Sequence, residues 1–339
     1  MSITRKEYGE INGYKVDEYT LDNGFMSVCI LNYGGIIKNI FIPDKNKNIR
    51  DVVLGHRDPE SYGTNKGYYG ALIGRHANRL GGAEFKLGSR NYSLAKNDGK
   101  ASLHGGNVGF DKKLWNVVET ETKEGPSVIM TIVSPNGDEG YPGTVTVSVI
   151  YTLTVNNTLR IRYIAVSDAD TIFNMTNHSY FNLSGHASGT VCDHTLTLNC
   201  SYYTPNTKEC MPNGEILSVL NTPFDFRVPK KIGEDIDSDY EQVAMFGGYD
   251  HNFIVDGVGM RKVGILESEE SGISMTVSTN QPGVQIYTGN SIDEDIICKD
   301  DVKYKKHQAV CLETQFYPNS MKINHFPKPI LKTGDVYDY

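Results

Sequence analysis

Thr144 to Ala165 reads TVTVSVIYTLTVNNTLRIRYIA, and its period of two decides the fold class. Val145, Val147, Val149, Tyr151 and Leu153 alternate with Thr144, Thr146, Ser148, Thr152 and Thr154, the pattern of a strand with one buried face. Asn156 and Asn157 signal a turn. Leu159, Ile161, Tyr163 and Ala165 then alternate with Arg160 and Arg162, as an antiparallel hairpin partner does. Further β-rich runs lie at Phe25 to Leu31, Ser127 to Val133, His194 to Leu198, Ile273 to Thr279 and Ala309 to Phe316. No long amphipathic helix competes with them, and 34 glycines among Asn, Asp and Pro clusters suit a chain of many tight turns. The sequence predicts an all-β fold of large antiparallel sheets. No low-complexity linker or fixed-period repeat divides it, so residues 1–339 are expected to form a single domain. Gly233 to Tyr240 is acidic and is expected to be exposed surface, as a short helix or a loop.

Composition narrows the partners. The 33 Lys and Arg against 41 Asp and Glu give a formal charge of −8, which offers no basic field for nucleic acid or an anionic membrane. A neutral small molecule fits better. Met1 to Glu7 has no apolar core of the signal-peptide kind, and no apolar run reaches the roughly 20 residues of a spanning helix. A cytoplasmic location is expected. Cys29, Cys192, Cys200, Cys210, Cys298 and Cys311 contain no Cys-x-x-Cys and read as reduced thiols.

The candidate chemistry begins at Asn177-His178-Ser179-Tyr180-Phe181-Asn182-Leu183 and at Glu313-Thr314-Gln315-Phe316. If residues 177 to 183 are extended, His178, Tyr180 and Asn182 share a face; by the same alternation so do Cys311, Glu313 and Gln315. An imidazole and a carboxylate held by strands point to proton-transfer catalysis on a polar substrate. Gly74 to Leu80 packs Arg75, His76, Asn78 and Arg79 into seven residues, a set that binds sugar hydroxyls or builds a structural salt bridge equally well. His104 precedes two glycines that leave room for a ligand, or is a loop histidine bonded to a neighbouring carbonyl. Asp250, between Gly248 and Asn252, caps a turn or accepts hydroxyl hydrogens. Pro282 and Gly283 imply an edge or bulge that re-aims Gln285 inward. His178, His186 and His194 recur every eight residues without a supporting carboxylate pattern, so no metal site is expected. The chain also has no Gly-x-Ser-x-Gly elbow, P-loop or dinucleotide fingerprint.

Taken in order, GRHANRL, LHGG, SPNGDEGYPG, TNHSYFNLSG, GYDHNF, QPGVQIYTGN and ETQFYP span nearly the whole chain, and together they resemble the aldose 1-epimerase, or galactose mutarotase, family. The resemblance implies a galactose mutarotase-like β-supersandwich that binds an aldohexose such as galactose or glucose in an open cleft. It implies no metal or organic cofactor. Residue by residue, His178 resembles the family's general acid and Glu313 its general base, with an initially protonated His178 implied. Asn78, Arg79, His104, Tyr180, Asp250 and Gln285 match its sugar-contacting positions. Arg75 stands second to Arg79. His76 and the run Lys100-Ala101-Ser102 depart from the family pattern and bear on specificity. A hexose-6-phosphate 1-epimerase and a non-catalytic sugar-binding protein are the competing readings. A glycosidase would need two carboxylates in place of His and Glu. A monomer and a homodimer are equally compatible with the sequence.

Overall fold

A computed structural model describes residues 1–339, and its regular structure is almost all β: twenty-eight strands against two short α-helices, Pro59–Thr64 and Glu241–Ala244. The chain divides into two compact units. One comprises Met1–Phe41, Asp58–Asn177 and Asn319–Tyr339; the other comprises Ile42–Arg57 and His178–Pro318.

In the first unit the predicted hairpin is Val145–Leu153 paired antiparallel with Leu159–Ser167. Leu153 faces Leu159 across a loop in which Asn157 takes the left-handed backbone (φ 58°) that Asn tolerates. Val145, Val147, Val149 and Tyr151 are fully buried, as the alternation requires. On the partner strand burial deepens only from Tyr163 onward, and Arg160 and Arg162 form surface pairs with Glu124 and Asp338. Asn116–Glu121, Pro126–Ser134 and Tyr337–Asp338 complete this sheet. A meander of Ser2–Ile11, Tyr14–Asp22 and Ser27–Leu31 packs against it, and the Tyr151 hydroxyl donates to Gly35 O at 2.7 Å. Valines shared between such faces each contribute about 1.5–3 kcal/mol through burial.

The second unit is built on a six-stranded sheet ordered Tyr180–Phe181, Val310–Gln315, Gly283–Tyr287, Asp250–Ile254, Tyr202–Thr204 and Leu217–Ser218. A four-stranded sheet of Lys230–Lys231, Thr195–Leu198, Arg261–Ser268 and Ile273–Thr279 accompanies it. Aromatic rings fill the space beside the Asp250 strand: Tyr203 stacks on Phe224 at 4.4 Å, and Tyr249 and Phe253 pack edge-on or tilted around them.

Two expectations change. The 177–183 run is not one strand: Thr176–Asn177 pairs with Leu72–Ile73, Tyr180–Phe181 pairs with Val310 and Cys311, and His178 and Ser179 lie between two strands that follow different partners. Gly283–Tyr287 is neither an edge nor a bulge. It pairs on both sides, and Pro282, just outside it, offers its carbonyl to Val255 N–H. The acidic stretch Gly233 to Tyr240 is a loop, one of the two expected forms, that carries the end of the 3₁₀ turn Ile232–Glu234 and leads into the Glu241 helix. All six cysteines are free thiols, as expected.

Two buried histidines accept hydrogen bonds and so favour the neutral ring: Leu183 N–H donates to His194 Nε2 at 2.9 Å, and Asp250 N–H to His251 Nδ1 at 3.2 Å. Burial pushes His194 down to about 4 and His251 down to about 3. Both values lie below the unfolded value of about 6.5, so the unfolded chain binds more protons between these limits and stability rises with pH there. The stabilisation is complete above about pH 6.5 and is lost as pH falls toward about 4. Urea unfolding at pH 7 and pH 5 will show a loss of about 1–2 kcal/mol per buried histidine, with His194→Gln lessening the dependence. A flat profile contradicts this reading.

Candidate active site

Strand Val310–Gln315 is buried at Cys311, Glu313 and Gln315, the face the alternation assigned to them. Register sets their neighbours. Glu313 lies opposite Gln285, which lies opposite Asn252; Cys311 lies opposite Tyr287 on one side and Tyr180 on the other. Tyr180 carries His178 with it, for the two rings stack at 5.0 Å with an interplanar angle of 25°. The ring of Tyr287 meets His178 edge-on at 6.4 Å.

This packing brings His178 Nε2 to 3.6 Å from Glu313 Oε1, with both side chains almost completely buried. The distance is too long for a direct hydrogen bond and short enough for both groups to reach one polar fragment. Cys311 Sγ lies 3.6 Å from His178 Nδ1. Burial, and then the charges of Glu313 and Asp250, push the Cys311 thiol far up, so it remains an S–H beside the imidazole. Burial also pushes His178 down to about 4. The adjacent carboxylate acts in the opposite sense. Burial thus works against the protonated ring that the family resemblance implies for His178.

Asp250 opens its strand and caps no turn. Gln285 Nε2 donates to its Oδ1 at 2.7 Å, and the Cys210 thiol donates to Oδ2 at 3.3 Å. Asp250 stays partly exposed while Gln285 is buried, so this carboxylate is oriented yet still able to accept. Asn182 serves the backbone instead, its amide donating to Gly189 O and Gln308 O, both at 2.8 Å.

The first unit gathers its own predicted residues. Arg79–Leu80 pairs with Ser102–Leu103, placing Asn78 next to His104, and Asn78 N–H donates to His104 Nδ1 at 3.1 Å. That bond leaves the His104 proton on Nε2, where it is a donor. Asn78 and His104 both have positive φ, 63° and 52°. Gly105 follows because a Cβ there would lie 1.9 Å from Gly74 O. Tyr68 packs edge-on to His104 at 4.7 Å, and Arg79 Nε pairs with Asp98 at 2.6 Å.

Arg75 is buried, donating to Ser134 Oγ and to the carbonyls of Ser134, Pro135 and Pro142 at 2.8–2.9 Å. It is a structural anchor built on carbonyls and a hydroxyl rather than a direct salt bridge, and it explains the SPNGDEGYPG run that supplies its acceptors. His186 is likewise structural, held between Asp300 and Tyr304. Cys210 and Asp98 escaped the sequence reading because neither lies in a recognisable pattern.

A buried imidazole 3.6 Å from a buried carboxylate is an arrangement suited to acid/base chemistry. The sequence model of the aldose 1-epimerase family matches residues 17–339. Galactose mutarotases of Bos taurus and Homo sapiens are each 38% identical over all of this chain and 97% of their own. An aldose 1-epimerase of Haemophilus influenzae is 38% identical over 88% of this chain and 85% of its own. The crystal structure of a galactose 1-epimerase from Lactobacillus acidophilus superposes with a TM-score of 0.88 at 28% identity, covering 99% of this chain and 96% of that one. The chain belongs to the aldose 1-epimerase family, with the galactose mutarotase-like all-β fold. It is an isomerase that interconverts the α and β anomers of an aldose.

Because Arg75 is structural, Arg75→Lys will lose the forked donors and cost about 3 kcal/mol in urea unfolding, with kcat per folded molecule little changed. Unaltered stability together with lost turnover would reverse this assignment.

Proposed function

We propose that the substrate is D-galactose or D-glucose, that His178 and Glu313 are its acid/base pair, and that residues 1–339 act as one catalytic domain. The observation that carries the pair is its 3.6 Å separation in a buried setting. Glu313 takes the proton of the anomeric hydroxyl while His178 Nε2 protonates the ring oxygen. The C1 to ring-oxygen bond breaks and an open-chain aldehyde forms. Rotation about C1–C2 presents the other carbonyl face, and the two residues exchange roles to close the opposite anomer. The step starts with His178 as imidazolium and Glu313 as carboxylate; ring opening leaves a neutral imidazole and a carboxylic acid, and ring closure reverses both transfers, so each turnover leaves the pair unchanged.

Asn78, Arg79, His104, Asp250 and Gln285 contact sugar hydroxyls in this reading. Donors are His104 Nε2 and the Arg79 guanidinium; the acceptor is Asp250, oriented by Gln285. Tyr180 acts chiefly by stacking on His178. A neutral sugar suits the −8 charge better than a hexose 6-phosphate does, and a non-catalytic binder would have no need of the pair. No nucleic acid or membrane enters the scheme, which also has no step requiring a cofactor. No helix is long and apolar enough to cross a membrane, and we place the reaction in the cytoplasm.

Polarimetry with fresh α-D-galactose, α-D-glucose and α-D-glucose 6-phosphate tests this. His178→Asn and Glu313→Gln are expected to lower kcat about 10²–10⁴-fold with the fold intact. Full activity in either variant overturns the pairing, and a preference for the phosphorylated sugar overturns the substrate.

A further inference from the structure

The thiol that reaches Asp250 comes from a loop the proposed chemistry does not use. Residues 205–213 close on themselves: Thr207 N–H donates to Met211 O at 2.8 Å, Cys210 N–H to Thr207 O at 2.9 Å and Asn213 N–H to Pro205 O at 3.1 Å. The main chain of the Asp250 strand holds this loop. Asn206 Nδ2 donates to Asp250 O at 2.9 Å, and the Gln242 amide grips Asn206 twice, accepting from its N–H at 2.7 Å and donating to its carbonyl at 3.0 Å. His251 Nε2 lies 3.1 Å from the same Gln242 oxygen. Asn206 is buried, so the clamp is sheltered from water and Cys210 is held in place beside the Asp250 carboxylate. Its Sγ donates to Oδ2 at 3.3 Å while Gln285 Nε2 donates to Oδ1 at 2.7 Å. A donor on each oxygen fixes the plane of a carboxylate better than one alone, and each oxygen keeps acceptor capacity for a sugar hydroxyl. Cys210 also takes φ 58°, a left-handed backbone that glycine adopts without strain. Glycine would serve the turn better; what cysteine adds there is the S–H.

We infer that Cys210 is a positioning residue for Asp250: its thiol holds the second carboxylate oxygen, so that Asp250 meets the sugar hydroxyls in one orientation. Cys210 touches no sugar in this scheme and takes no part in the proton transfers at His178 and Glu313. Its loss therefore weakens binding of the ground state and the transition state alike, which raises KM and leaves kcat in place. The inference rests on the reading of Asp250 as a sugar contact, and on nothing about which aldose is bound.

Cys210→Ala removes the donor, Cys210→Gly removes it and also relieves the left-handed backbone, and Cys210→Ser puts an O–H in place of the S–H. In polarimetry with the better substrate of D-galactose and D-glucose, the alanine and glycine variants are expected to raise KM about threefold or more with kcat within about twofold, and the serine variant to recover at least half of that loss. A merely structural thiol would lower the melting temperature and leave KM where it is. Should the alanine variant not fold, Cys210→Gly, which suits φ 58°, decides. A smaller rise in KM, a kcat lowered beyond about twofold, or a serine variant no better than alanine overturns the inference. Asp250→Asn separates the two levels. If it leaves KM unchanged, the sugar-contact reading fails first; if it raises KM while the Cys210 variants do not, only this inference fails.

Discussion

Hydrogen-bond register between Val310–Gln315 and its two neighbouring strands is the constraint from which the site follows. It sets Glu313 beside Gln285 and Cys311 beside Tyr180, and the stacking of His178 on Tyr180 then fixes where the imidazole can be. A slip of one residue would turn Glu313 to the opposite face of the sheet, where Leu312 and Thr314 now point. Backbone pairing thus does for this carboxylate what a loop could not, holding it against burial at a defined distance from its partner.

Burial has two consequences that pull apart. It lowers His178 toward the neutral ring and raises Cys311 toward the thiol, while the nearby Glu313 favours a charged imidazole. The imidazolium that the proposed chemistry needs therefore forms against burial. The same physics explains the neutral, hydrogen-bond-accepting His194 and His251, which carry structure rather than chemistry. Position relative to the Glu313 strand, not residue type, separates the catalytic candidate from the structural histidines.

Much of this was legible in the sequence. The Val145–Leu153 hairpin followed from a period of two and an Asn-Asn turn, because side-chain alternation is a local property. The shared face of Cys311, Glu313 and Gln315 followed for the same reason. Long-range pairing was not legible. Nothing in residues 177–183 tells that Asn177 and Tyr180 join different sheets, and nothing near Pro282 tells that Gln285 lies on a central strand. Arg75 and Arg79 look alike in GRHANRL; only the folded chain shows one surrounded by carbonyls and the other paired with Asp98. The family resemblance puts Arg79 ahead of Arg75 for a reason that spacing alone does not contain.

A crystal structure with D-galactose bound measures the central claim directly, since it reads the relation of both proton-transfer groups to the hemiacetal at once. The account predicts the ring oxygen at about 3 Å from His178 Nε2 and the anomeric hydroxyl at about 3 Å from a Glu313 carboxylate oxygen. A sugar seated with neither contact, or away from the Val310–Gln315 strand, would contradict it.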